Sequence, residues 1–483
     1  MFRELEEVFA KWGAGLLILG ILLSILYVFT EMLQGIILGE SLYLLFALGG
    51  VLFATSFSLF RGHSNGLEMR VHKLASKDLS VSLKKTLMTI TWALLISLPF
   101  GVLGLKLTGI ADGTNFYDFG AYYNAAERLI NGYPLYDWTT EYSGVTSLPN
   151  SPDRYLYSPL ISFLFVPFAF LPFNTAALAW SVVSITVYLA GITVLVNTLT
   201  DSLSRQKWMM IYTASLGFGP FVITFISGQV TGILTGILCC AGAGYHKQER
   251  ENISSSILTT IAAFFKMYYA PAGAPLLRNY RRLLTAAVTG LTIILTGVFI
   301  FDVQTTIEYI NVLAGGKGWG SAIDPPIRWN INDFHPFYYL DVIGYIVRAL
   351  LLATIATVAY RSRNYEFEYV DLYIYSFGIL GVVLGAPVFA TSGLTVTTPV
   401  ILFLLVTTVH DRPGVFVSTL GATILIHAHP YTNEFLSSIL LPVIGAETLA
   451  SLIVPVIQPA VWGVFMLFVC VTYEYTLQLS DTT

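Results

Sequence analysis

Charge is the scarcest property of this chain. Only 11% of its 483 residues are Asp, Glu, Lys or Arg, against roughly 25% in soluble domains. With 55% hydrophobic residues, it carries more apolar surface than a water-soluble core can absorb. The formal net charge is -4, and no basic cluster interleaved with aromatics occurs outside the membrane-flanking loops, which argues against a nucleic-acid partner. Cysteine is also rare: Cys239, Cys240 and Cys470 all fall inside apolar runs, so neither a disulfide framework nor a zinc site is expected. There is no phosphate-cradling glycine loop ending in Lys-Ser/Thr, no His-Glu-x-x-His and no nucleophile-elbow serine. Nucleotide hydrolysis and metalloprotease chemistry lack their usual residues, and no cofactor or metal is expected. Fixed-period repeats and low-complexity tracts are missing too.

What the chain has instead is a succession of apolar runs, each long enough to cross a hydrocarbon layer of roughly 30 Å as a helix. Glu4, Glu6 and Glu7 precede the first, from about Gly13 to Leu33, with no basic n-region or cleavage site, which reads as a retained span. Expected spans are 14–34, 42–60, 86–107, 157–172, 174–197, 207–227, 229–245, 254–275, 282–303, 338–360, 370–392, 394–410, 414–430 and one or two between 436 and 475. This predicts an all-α polytopic membrane protein of about 13–15 helices, a single integral membrane domain over 1–483 in contact with membrane lipids. Gly and Pro within several runs, as in 157–172, predict broken or tilted helices.

Lys and Arg orient the spans. Arg61, Arg70, Lys73, Lys77, Lys84 and Lys85 face only Glu68 and Asp78 in the loop 61–85, which should be cytoplasmic. Arg278, Arg281 and Arg282, then Arg361 and Arg363, then Arg412, mark later cytoplasmic turns. Followed through the span list, Arg205, Lys207, Lys247 and Arg250 come out on the opposite side, against the rule. Two long loops, 108–156 and 304–337, then face outward. The first is acidic, with Asp112, Asp118, Glu127, Asp137, Glu141 and Asp153 against Arg128 and Arg154.

Within it, Phe119, Tyr122, Ala126, Leu129 and Ile130 recur at helical spacing, which predicts a short amphipathic helix over 118–131 on the membrane surface. Gly132-Tyr133-Pro134 stops it. Asp118 stands at its start, where the structural alternative to a chemical role is an N-cap. Beyond come a Tyr155-x-Tyr157-x-Pro159 helix start and, in the second loop, Arg328, Asn330, Asn332, Asp333 and His335. An outward carboxylate beside apolar helices can take the proton of an acceptor hydroxyl, while a cationic cluster holds a departing phosphate, the requirement of glycosyl transfer from a lipid phosphate. A polyprenyl phosphate leaves readily, so no second carboxylate is required.

These motifs resemble glycosyltransferase family 87. Asp118-Phe119-Gly120-Ala121-Tyr122-Tyr123-Asn124-Ala125-Ala126, followed by Asn131-Gly132-Tyr133-Pro134-Leu135-Tyr136, is similar to that family's first outer loop. Tyr155-Leu156-Tyr157-Ser158-Pro159-Leu160, running to Pro167 and Leu171-Pro172, is similar to its next helix. Gly228-Gln229, Lys266 with Pro271, and Arg281-Arg282 are similar to its middle segment. The resemblance runs from Asp112 to about the last third of the chain. The second loop departs from it, with Trp329-Asn330-Ile331-Asn332-Asp333 where an Asn-Gln-Ser-type element is expected.

The resemblance implies a GT-C-type membrane glycosyltransferase, a polyprenyl-phosphate-mannose-dependent mannosyltransferase that inverts the sugar with Asp118 as catalytic base. His335, Arg328, Arg154 and Lys266 are the candidates for the donor phosphate, Lys266 because a cation within an apolar run is costly unless used or paired. Asp112, Tyr122, Tyr157 and Gln229 are the candidate substrate contacts, with Asp112 the fallback base. The expected partners are a polyprenyl- or dolichyl-phosphate sugar donor, mannose first and a pentose as alternative, and an extracytoplasmic glycan or glycolipid acceptor. His427-x-His429 has no carboxylate partner nearby in sequence and reads as interfacial. The rival readings are a secondary transporter or lipid flippase, which would gather ionisable residues at the bilayer midplane, and a purely structural assembly subunit.

Overall fold

The computed structural model describes residues 116–482, apart from 138–139, 147–154, 247–252, 315–332, 335, 338–340, 387–388, 410 and 445–457; for 314, 333, 341–342, 389, 430–444 and 481–482 it describes the backbone alone. The expected spans 14–34, 42–60 and 86–107, the basic loop 61–85, and Asp112, Arg154, Arg328 and His335 lie outside the described residues.

The chain is an all-α polytopic membrane protein. Among the described residues its longer helices are α1 (Tyr117–Ile130), α2 (Phe173–Leu199), α3 (Arg205–Gly217), α4 (Gly219–Ser227), α5 (Thr231–His246), α6 (Ile253–Phe265), α7 (Tyr280–Ala314), α8 (Asp341–Arg361), α9 (Val370–Gly385), α10 (Thr398–Thr408), α11 (Pro413–Ile444) and α12 (Pro459–Thr482). A 3₁₀ stretch, Met267–Arg278, joins α6 to α7, and another, Thr391–Thr397, leads into α10. The short antiparallel pair β1 (Asp333–Phe334) and β2 (Phe389–Ala390) matches Asp333 to Ala390 and Phe334 to Phe389. Among the described residues five helices are long and apolar enough to cross a membrane, six if α3 and α4, bent by 59°, form one span.

Packing begins where backbones touch. A Cβ on Gly191 of α2 would stand 2.1 Å from the Gly236 carbonyl oxygen of α5. The two helices meet without side chains between them, the close approach that small residues allow inside a membrane. Further along the same parallel pair, Gly232 lies against Ser184 and Gly242 against Leu195.

Two expected spans are built differently, and this moves Arg205 and Lys207 to the end that holds the other described basic turns; Lys247 and Arg250 lie outside the described residues. The 157–172 run does not cross: it is two four-residue helices, Pro159–Ser162 and Val166–Ala169, around a 3₁₀ turn. Both ends of the run return to α1, with the Tyr157 hydroxyl 2.9 Å from that of Tyr122 and the Leu171 carbonyl accepting from the Tyr123 hydroxyl at 2.8 Å. The 254–275 run is two segments, α6 ending at Phe265 and the 3₁₀ stretch turning back through Pro271 and Pro275. These prolines withhold helical N–H donors and limit regular α-helix.

The two ends of α5 therefore identify the two ends of the bundle. At its start, Thr231 accepts from Lys266 Nζ at 3.1 Å. At its finish, the Arg282 guanidinium lies 5.4 Å from the Tyr245 ring centre and His246 stacks on Tyr369 at 4.9 Å. Thr231 and Tyr245 are roughly 21 Å apart at 1.5 Å per residue. Arg278 and Arg282 both pair with Asp371, Arg282 at 2.7 Å, and Arg278 also donates to the Ser362 and Tyr365 carbonyls. Arg205 and Lys207 follow the C-terminus of α2, at this same end, as do Arg361 and Arg363. The arginines and lysines of the described turns thus share the end away from Lys266.

Candidate active site

Helix α1 forms because its apolar and small residues recur at helical spacing, and Gly132 at φ +71 follows its close. It starts one residue before the expected position. It does not lie on a surface: Phe119, Gly120, Ala121, Tyr122, Ala125 and Ala126 are buried. Asp118 is not its cap. Phe116, with φ 67, holds that position without a side-chain cap, and Asp118 stands in the first turn.

The start of α1 is fastened to the junction between α4 and α5. The Phe116 amide donates to the Ile226 carbonyl at 3.0 Å, and Trp180 Nε1 donates to the Gly228 carbonyl at 2.8 Å. Gly228 closes α4 with φ +72, and a Cβ there would stand 2.6 Å from the Phe119 Cβ. Only glycine serves both the left-handed turn and the close approach.

From this junction Gln229 reaches inward. Its Oε1 accepts from Lys266 Nζ at 3.0 Å and from the Tyr122 hydroxyl at 3.2 Å. Lys266 stands at the reversal between α6 and the 3₁₀ stretch, with Tyr268 beside it, Nζ 5.9 Å from the ring centre. Asp118 faces the same cluster, and its partners there are Lys266, Ser227 and Gln229. Burial pushes its carboxyl above the ordinary carboxylate range, while the Lys266 charge and the Ser227 and Gln229 side chains oppose that rise. Asp118, Tyr157, Ser227, Gln229 and Tyr268 keep part of their surface accessible, whereas Tyr122, Thr231, Lys266 and Tyr269 are buried. The polar cluster is therefore not fully enclosed.

Five sequence candidates, Asp118, Tyr122, Tyr157, Gln229 and Lys266, are therefore brought together from four separate parts of the chain. Asp112, Arg154, Arg328 and His335 lie outside the described residues. Ser227, Thr231 and Tyr268 were missed; each is within two residues of Gln229 or Lys266, the only signal the sequence offered. The two histidines are not interfacial. His427 and His429 are buried, and His427 Nδ1 accepts the Gly219 amide at 3.0 Å, so it holds the start of α4 at the bend. Among the described residues no group of His, Cys, Asp and Glu could hold a metal ion.

A basic carboxylate beside a fixed ammonium, at the end of a helical bundle, can hold an anionic group and accept a proton from a neutral one. The sequence profile of Glycosyltransferase family 87 matches residues 155–387. This region is similar to the family 87 glycosyltransferases. The match supports a membrane glycosyltransferase. It takes in Tyr157, Gln229 and Lys266 and begins after α1, so the first-loop resemblance around Asp118 lies outside the matched residues. No curated protein and no solved structure matches the chain. A glycosyltransferase of this kind uses a sugar donor and an acceptor, and its apolar helices bring it into contact with lipid.

Proposed function

We propose that this glycosyltransferase has a GT-C-type fold and moves a sugar, mannose first, from a polyprenyl- or dolichyl-phosphate donor to an extracytoplasmic glycan or glycolipid acceptor, with inversion. The observation that carries this reading is the meeting of Asp118 and Lys266 around Gln229, at the end of the bundle away from the basic turns. The positive-inside rule makes the basic end cytoplasmic and the site extracytoplasmic. Nucleotide sugars are charged and cytoplasmic, so a lipid phosphate is the donor chemistry that suits an outward site.

In this mechanism the Asp118 carboxylate takes the acceptor hydroxyl proton as that oxygen attacks the anomeric carbon. The bond from that carbon to the phosphate oxygen breaks, and its electron pair leaves with the lipid phosphate. Lys266 holds the charge that develops there, oriented by Gln229 and Thr231. A carboxyl with raised proton affinity is the better base near neutral pH. Tyr122 and Tyr157 fix the wall against which the sugar is held. Arg154, Arg328 and His335 are assigned to the same phosphate and Asp112 to the substrate. The outward loops are 108–156 and 304–337, of which residues 304–314 belong to α7.

The test is incubation of the purified protein in liposomes with radiolabelled polyprenyl-phosphate mannose and a mixed glycolipid pool. Label should appear in a new glycolipid. Label that changes leaflet while staying on its original lipid would instead identify a flippase.

A further inference from the structure

Helix α7 is not one rod. Asp302 breaks it with φ 77 and ψ 170, and the Asp302 carboxylate then accepts the Thr305 amide at 2.8 Å. Residues 303–314 thus form a separate, capped helix beginning where the apolar run 282–303 ends. The rest of α7 before the break has an outward apolar surface, with Leu291, Leu295 and Phe299 exposed, as a lipid-facing span requires.

Three stripes run along the helix after the break, each at i, i+4, i+7 spacing. Val303, Ile307 and Ile310 form one stripe and are 59%, 43% and 54% exposed. Gln304, Glu308 and Asn311 form the next, about 100° round the helix, with Gln304 and Asn311 exposed and Gln304 donating to Glu308 at 3.4 Å. Thr305, Tyr309 and Val312 form the third. Val312 is buried, and Tyr309 stacks on Tyr136 at 6.2 Å between ring centres. The Tyr136 hydroxyl donates to the Tyr157 carbonyl at 2.7 Å, and Tyr157 is hydrogen-bonded to Tyr122 beside Gln229.

An apolar stripe continuous with a lipid-facing span, a polar stripe beside it and a third side packed on protein define one environment. We infer that the 303–314 helix lies in the headgroup-acyl boundary of the bilayer and forms the sill across which the lipid chain of the substrate reaches the site. Val303, Ile307 and Ile310 face the acyl chains, and Tyr309, through Tyr136, holds Tyr157 in register with that boundary. The substrate role rests on the lipid-phosphate donor proposed above. The position of the helix does not.

Two measurements separate these parts. In a background with Cys239, Cys240 and Cys470 replaced by alanine, spin labels are attached through Ile310→Cys and, separately, Asn311→Cys, and the protein is placed in phosphatidylcholine liposomes. The label at 310 should relax preferentially with oxygen, the lipid-soluble quencher, and the label at 311 with a water-soluble nickel chelate; equal preference at the two positions would overturn the placement. The Ile307→Asp, Ile310→Asp double variant should raise KM for a long-chain polyprenyl-phosphate sugar on the order of tenfold or more, because it disrupts an apolar lipid contact, while a short-chain, water-soluble donor is used as by wild type. Equal loss with both donors would overturn the sill. Wild-type protein that uses neither donor would remove the lipid-phosphate reading, and with it the sill, and leave the spin-label result standing.

Discussion

Lys266 Nζ lies 3.0 Å from Gln229 Oε1, an oxygen that also receives the Tyr122 hydroxyl. One amide therefore links the reversal after α6 to α1. A buried ammonium on an otherwise apolar segment is held in place by these contacts, and each of them faces the Asp118 cluster.

Asp118→Asn should lower transfer by about 10² to 10⁴ in rate, the usual contribution of general-base catalysis. The amide keeps the shape and removes the proton-accepting oxygen. Turnover measured with a labelled lipid-phosphate donor decides it, with thermal stability in detergent as the control for folding. Near-normal turnover would take Asp118 out of the mechanism and pass the test to Asp112.

The acid limb of the activity profile should lie above the ordinary carboxylate range, since burial raises the affinity of Asp118 for its proton and only the carboxylate form is a base. Lys266 opposes that rise. Lys266→Met should therefore move the acid limb to still higher pH, and under the proposed phosphate role of Lys266 it should also cost about 2.7–4 kcal/mol of transition-state stabilisation. A profile of kcat/KM against pH for both proteins measures both effects; an unmoved limb would separate Lys266 from Asp118.

Asp371 balances two cations, Arg278 and Arg282, at the opposite end of the bundle. Asp371→Asn leaves both guanidinium groups without their carboxylate in a site with little solvent, a change that costs roughly 3–5 kcal/mol for a buried pair. The midpoint of thermal unfolding in detergent should fall. Because the site lies at the other end of α5, the protein that remains folded should keep its donor KM.

Gly228→Ala meets two obstacles. The left-handed backbone costs about 1–2 kcal/mol for a residue with a Cβ, and the 2.6 Å approach to the Phe119 Cβ adds an overpacking cost of about 1–3 kcal/mol. Destabilisation should come with loss of activity, since the displaced element is the start of α1, which carries Asp118. Gly132→Ala, also at positive φ but with nothing within 4 Å, should show the backbone cost alone.

Single cysteines at Ser143 and Ser202, both exposed, test the orientation in a background free of the native cysteines. A membrane-impermeant maleimide should label Ser143→Cys in intact cells and Ser202→Cys only after permeabilisation. The reverse pattern would put the site in the cytoplasm and remove the argument for a lipid-phosphate donor.

Much of this protein is legible residue by residue. Scarce charge and long apolar runs determine a membrane protein whatever the fold, because the cost of burying charge and the thickness of the bilayer act locally. The helix near 118–131 follows from its periodicity, and Lys266 stands out because a lone cation in an apolar run needs a use. Crossing is another matter. The 157–172 run is apolar enough to span, but its prolines and its hydrogen bonds to Tyr122 and Tyr123 turn it back, and only the neighbouring helix supplies those partners. Amphipathicity distinguishes two sides of a helix, not protein from lipid: α1, expected on the membrane surface, is largely enclosed by residues distant in sequence. The meeting of Asp118, Gln229 and Lys266 depends on Gly228, on the proline-rich reversal after Lys266 and on the Gly191–Gly236 crossing. Those are long-range contacts, and their geometry exists only in the folded chain.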